Sequence, residues 1–125
     1  AAVKQVVVNR LKKEKIVHYA FDMEKTSTES IPEQLKFRAI NGYNRERSGG
    51  VQIVLKPAHY EYDVAKGTSH GAWNPYDIHI PLVFMGWHIQ HGATTQPHYM
   101  TDIAATVSAL LHIQAPNGCI GTPIF

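Results

Sequence analysis

The sequence predicts an α/β chain, with helices layered on a sheet of about three strands that forms part of a larger sheet. Segments with helical spacing alternate with short apolar or β-branched runs, the order that sets helices against strands. Residues 16–21 are apolar on both alternating faces except at His18, the pattern of a strand covered on both sides. The chain has 125 residues, 44% hydrophobic and 18% charged, which makes about one domain with a core. Three strands of about six residues each nevertheless need more cover than this length supplies.

The elements follow in order. Val3, Val7 and Leu11 recur at four-residue spacing among Lys4, Asn9, Arg10, Lys12 and Lys13, which predicts a short amphipathic helix with those three on its buried side. The run Val6, Val7 and Val8 works against it, because branched side chains lose freedom against the preceding turn. After the charged break at 12–15 comes the central strand at 16–21. Ser30, Ile31, Pro32 and Glu33 form a capping box, predicting a helix whose buried stripe is Ile31, Leu35, Ala39 and Ile40 and whose C-terminal cap is Gly42. Ser48, Gly49 and Gly50 turn the chain into a second strand at 51–56, where Val51, Ile53 and Leu55 alternate with Gln52, Val54 and Lys56 until Pro57 stops it. From 57 to about 79 no period survives. So long an irregular stretch is usually functional, and Tyr60, Tyr62, Trp73 and Tyr76 predict that it is packed. Residues 80–85 read as a third strand, with Pro81 near its start and Gly86-Trp87 closing it. Thr101-Asp102 caps a last helix, with Ile103, Val107, Leu110 and Leu111 at i, i+4, i+7 and i+8 as its buried stripe and an end near His112.

Composition excludes several classes. Twelve Lys plus Arg against ten Asp plus Glu give a formal charge of +2, and a pI of about 8.7 lies below the range of nucleic-acid domains, so nucleic acid is not expected as a partner. The longest apolar run is far short of the roughly 20 residues that span a bilayer, so no membrane insertion is expected. Cys119 is the only cysteine, which removes disulfide frameworks and Cys-based zinc sites. Eight histidines are an excess that makes metal or acid-base chemistry worth testing.

Individual motifs narrow the chemistry without fixing it. There is no HExxH, so a zincin-type protease is disfavoured, and no GxSxG to support a hydrolase triad. Gly67-Thr68-Ser69-His70-Gly71 is glycine-rich but lacks the Lys and following helix of a P-loop. Arg45, Arg47 and Lys56 read as a solvated face interrupted by Glu46 and Gln52. His18, His88, His91, His98 and His112 read as surface or hydrogen-bonded structural residues. His59, Asp63, His70, Asp77 and His79 are donors of the type zinc accepts, but their separations match no compact metal motif.

Taken together, the ordered motifs carry more. Gly67-Thr68-Ser69-His70-Gly71, Asn74-Pro75-Tyr76-Asp77, His79-Ile80-Pro81-Leu82-Val83-Phe84 with Gly86-Trp87, and Thr101-Asp102-Ile103-Ala104 leading to Leu110-Leu111 resemble the C-terminal end of bacterial zinc-dependent alkaline phosphatases. The group they are most similar to is the one related to type I phosphodiesterases and nucleotide pyrophosphatases. The resemblance covers roughly residues 40–125, including Gly42-Tyr43-Asn44 and Arg47-Ser48-Gly49. Ala105 stands where the family usually has Pro, a small departure because the first turn of a helix accepts either.

The resemblance implies a two-zinc phosphate-monoester hydrolase on a layered α/β sheet, with a Thr or Ser nucleophile, acting on phosphate esters in the periplasm or outside the cell. His70 matches the family's last zinc ligand, and its neighbours Ser69 and Gly71 are small enough to let the backbone approach a metal. The nucleophile and remaining ligands lie upstream in the family, so no catalytic residue is assigned in this chain. Residues 1–125 then read as a single C-terminal domain or a piece of a larger hydrolase, partnered by the upstream part of the same polypeptide, and Ala1 as the start of an excised portion. One His cannot hold zinc alone, so the isolated chain is expected to be inactive. Asp77 and His79 are candidates to orient His70 or, equally, to fix the loop locally. Trp73 and Tyr76 read as loop packing. Phosphodiesterase or sulfatase chemistry, and a non-catalytic binding module, are the alternatives.

Overall fold

The structure is a computed structural model that describes residues 2–60 and 71–125. They fall into two compact units, the first ending at Pro81 and the second spanning Leu82–Phe125. Residues 61–70, with Asp63 and His70, lie outside the described residues.

In the first unit the order is α1 (Ala2–Leu11), β1 (Val17–Asp22), a 3-10 helix (Met23–Thr28), α2 (Glu33–Gly42), β2 (Val51–Leu55) and α3 (Pro75–Ile78). β1 and β2 form an antiparallel pair with Ala20 opposite Ile53 and Asp22 opposite Val51, and the register shifts between Val17 and Tyr19. Phe21, Met23, Leu35 and Val54 form the buried cluster, with Tyr19, Ile31, Ala39, Tyr43 and Trp73 packed around it. Phe21 is fully buried, and removing an aromatic ring from such a position costs about 3–5 kcal/mol.

Helix α1 forms where expected but turns a different face inward. Val8 is its buried residue, while Val3 and Val7 are exposed. Lys4, one turn before Val8 on the same face, sets this rotation. Its ammonium lies 3.4 Å from buried Asp22 and 3.1 Å from Glu24. The hydrogen bond to Glu24 raises the Lys4 pKa, with the charges of Asp22 and Glu24 acting in the same direction and desolvation opposing them. Gly50 leaves room for the lysine stem, whose Cε would stand 2.9 Å from a Cβ at that position. Asp22 also accepts the Glu24 N–H at 3.1 Å, capping the 3-10 helix. Helix α2 starts from Pro32 with no side-chain cap, so Ser30 does not close the expected box. Leu35 is buried, Ile31 and Ala39 pack on the core, and Ile40 is exposed. Gly42 is the last helical residue, and Tyr43 caps the helix from extended backbone.

Two strands, not three, are paired among the described residues. Residues 80–85 carry no ladder, and Val83 and Met85 are exposed. A strand is defined by its partner, Pro81 removes one donor, and no described residue pairs with this segment. The long irregular stretch also contains one turn of helix, α3, with Pro75 at its first position.

In the second unit, α4 (Asp102–Leu110) buries Asp102, Ala105, Thr106 and Ser108. Val107 and Leu111, expected inside, are exposed. The polar face is the covered one because the C-terminal segment hydrogen-bonds to it. The Thr122 N–H donates to Asp102 Oδ1 at 3.1 Å, and the Ile124 N–H donates to Thr106 Oγ1 at 3.1 Å. Thr101 makes no side-chain cap. Phe84 and Phe125 meet edge to face at 5.4 Å.

Candidate functional site

The residues that follow the glycine-rich motif are held by local hydrogen bonds and one aromatic contact. Gly71 has φ of +106°, a conformation that side-chain-bearing residues rarely adopt, so the chain can turn sharply just after position 70. Trp73 then enters the core of the first unit, edge-on to Tyr19 with ring centres 6.4 Å apart. Asn74, 4% exposed, follows at the start of α3. Its carbonyl accepts the N–H groups of Asp77 at 2.9 Å and Ile78 at 3.1 Å, which closes the turn. Tyr76 points outward, its hydroxyl accepting the Ala58 N–H at 2.8 Å. Trp73 therefore packs as expected, whereas Tyr76 is exposed and joins the loop through its hydroxyl.

The candidate site residues are placed unequally. His70 lies outside the described residues. Asp77 is half-buried within α3, and His79 is exposed just after it, its N–H donating to the Pro75 carbonyl at 3.1 Å. The Asp77 N–H likewise donates to the Asn74 carbonyl, so both residues enter the α3 turn through their backbones. Among the described residues, no three or more His, Cys, Asp or Glu side chains come together in a way that could hold a metal.

Several remaining histidines have local contacts. His18 stacks on Tyr19 at 4.2 Å and His88 on Trp87 at 3.6 Å. His59 Nδ1 lies 2.9 Å from the Pro57 carbonyl, and His98 Nδ1 is 3.9 Å from Asp102 Oδ2.

Two polar atoms escaped the sequence reading. Trp73 Nε1 and Asn74 Nδ2 are buried donors with no acceptor among the described residues. Nothing in an Ala-Trp-Asn-Pro run signals this, because it depends on how deeply the turn is packed. In the second unit, the sequence marked Asp102 as a helix-start acid, but its carboxylate accepts the N–H groups of Tyr99 and Thr122. Those two bonds, Tyr99 first, hold it below the ordinary 3.8, with His98 helping and burial opposing.

No family model matches the chain. Its relatives are nevertheless close in sequence. It is 51% identical over 98% of its length to alkaline phosphatase PafA of Elizabethkingia meningoseptica, of which it covers 22%. It is 48% identical over 99% of its length to alkaline phosphatase PhoV of Synechococcus elongatus, again covering 22%. A Myroides odoratus protein named calcium-transporting ATPase is 48% identical over 94% of the chain, with 22% covered. The crystal structure of wild-type alkaline phosphatase PafA superposes with a TM-score of 0.93 at 50% identity, over 98% of this chain and 24% of that one. The chain therefore spans about a fifth of the length of these relatives. It aligns with the C-terminal part of alkaline phosphatases and shares its mixed α/β fold.

Proposed function

We propose that this chain is the C-terminal part of a zinc-dependent phosphate-monoester hydrolase, in which it supplies His70 as one metal ligand and part of the wall of the site. The observation that carries the reading is identity of about half the residues to two alkaline phosphatases along nearly the whole chain. The preceding part of the polypeptide supplies the nucleophile and the other ligands. A periplasmic or secreted enzyme goes with this reading.

The donor chemistry suits a contributor and not a whole site. A single imidazole between Ser69 and Gly71 is a good zinc ligand, but stable sites use three or four protein ligands. When bound, zinc would polarise the phosphoryl oxygens and stabilise the charge that develops on the leaving group. The work of this chain is to present a neutral ring nitrogen in a fixed direction. Gly71 provides the turn after it, Trp73 fastens the turn to the core, and α3 ends the segment with Asp77 and His79. Either of those side chains can steady the other ring nitrogen of His70.

In the full-length enzyme, His70→Ala should lower zinc-dependent hydrolysis of an aryl phosphate by about 100-fold or more and reduce the bound zinc. Near wild-type turnover with full metal content would contradict the assignment. ATP, a phosphodiester and a sulfate ester belong in the same assay. The Myroides relative is named for ATP hydrolysis, which moves the same phosphoryl group to water from a different leaving group, and substrate choice rests with residues outside this chain.

A further inference from the structure

We propose that α1 carries a packing face for the preceding part of the same polypeptide. In the intact molecule the exposed stripe of Val3, Val6 and Val7 lies against an apolar surface of that part. This rests on the reading of the chain as the C-terminal part of a longer hydrolase.

Helical geometry sets the stripe. Positions 3, 6 and 7 stand at i, i+3 and i+4, so their side chains share one face of α1. They are 77%, 68% and 42% exposed. Lys4 and Val8 occupy a different face, turned toward the rest of the first unit. Gln5 and Asn9 occupy a third, where the Gln5 side-chain N–H donates to Asn9 Oδ1 at 3.0 Å. The helix cannot rotate its valines inward, because that would bring Val8 into water and break the ion pairs of Lys4 with Asp22 and Glu24. One face is thus used within this chain and a second apolar face is left over, and a helix apolar on more than one side is a buried helix.

Valine is also a poor residue for a helix surface in water. Its branched side chain loses freedom against the preceding turn, a loss that packing has to offset. Helix α4 repeats the pattern in the second unit, with Asp102, Thr106 and Ser108 covered while Val107 and Leu111 are exposed. The length of the relatives names the occupant. The PafA structure matches 98% of this chain, which makes up only 24% of that one and aligns with its C-terminal part, so most of such a molecule lies ahead of α1. A surface on the same polypeptide is kept near the valines by the chain itself, at a higher effective concentration than any separate molecule.

The test reads the sign of a small change in the full-length protein. Alanine is the better helix former, so Val6→Ala raises the thermal unfolding midpoint if residue 6 faces water and lowers it if the valine methyl groups are packed. A fall of about 2 °C or more is expected, with a larger fall for Val6→Lys. Asn9→Lys, which puts the same charge on the polar face, should change the midpoint little. A rise for Val6→Ala, or equal effects of Val6→Lys and Asn9→Lys, would overturn the packing face. So would a wild-type dimer that Val6→Lys converts to monomers, since a second copy would then be the occupant. His70→Ala, followed by its zinc content, tests the functional reading separately. If it loses zinc while Val6→Ala gains stability, the packing face fails and the ligand assignment stands. If it keeps its zinc while Val6→Ala loses stability, the packing face stands without that assignment.

Discussion

The carboxylate of Asp102 shows how much a single residue can hold. It is 7% exposed and accepts the Tyr99 N–H at 2.9 Å and the Thr122 N–H at 3.1 Å. Its folded pKa lies below the ordinary 3.8, so its contribution to stability is present above that value and is lost as pH falls through the folded pKa. Thermal unfolding followed against pH should show this acid loss in the wild type and a shallower one in Asp102→Asn. Equal acid slopes would remove the carboxylate from this role. Thr106 extends the tie. Its fully buried hydroxyl donates to the Asp102 carbonyl at 2.7 Å and accepts the Ile124 N–H at 3.1 Å. Thr106→Val keeps the shape but strands that N–H, and should cost about 1–3 kcal/mol with faster hydrogen exchange at Ile124. Gly121 completes the contact. A Cβ there would collide with the Thr101 carbonyl and stand 2.7 Å from the Asp102 nitrogen, so Gly121→Ala should destabilise by about 1–3 kcal/mol in a denaturant titration.

At the level of elements, α4 ends in a motif with an unexpected residue. The Ile113 N–H donates to the Ser108 carbonyl at 3.0 Å and the His112 N–H to the Ala109 carbonyl at 3.2 Å, with His112 at φ of +53° where glycine is usual. His112→Gly should therefore raise the unfolding free energy by about 1 kcal/mol, and a loss of stability would show that the imidazole makes up for its backbone strain. This end was readable in sequence to within two residues, as were the strand at 51 and the helix starting near residue 33. Those signals are local: alternation, a proline and a run of apolar residues at helical spacing. The faces were not readable. Val3 and Val7 promised the inner side of α1, but the ion pairs of Lys4 with Asp22 and Glu24 place Val8 there. Val107 and Leu111 promised the inner side of α4, but the C-terminal segment covers Asp102 and Thr106 instead. Partners distant in sequence decided both. The third strand failed for the same reason, since residues 80–85 have the composition of a strand and no described neighbour to pair with. Of the candidate site, His70 lies outside the described residues, and the buried donors of Trp73 and Asn74 were not legible, because burial is a property of the packed turn.

For the molecule as a whole, the share of its relatives that the chain covers is the main constraint on what it does. Met85 is 94% exposed and Trp87 80% exposed. The chain covers 22% of alkaline phosphatases that share about half its residues. The proposed catalytic centre, shared with other parts of a longer polypeptide, is consistent with that coverage. No helix among the described residues is long and apolar enough to cross a membrane. The direct measurement is hydrolysis of an aryl phosphate by purified residues 1–125 in the presence of zinc. No turnover above the zinc-containing buffer is expected. Robust zinc-dependent turnover that disappears in His70→Ala would mean that the site is complete within this chain.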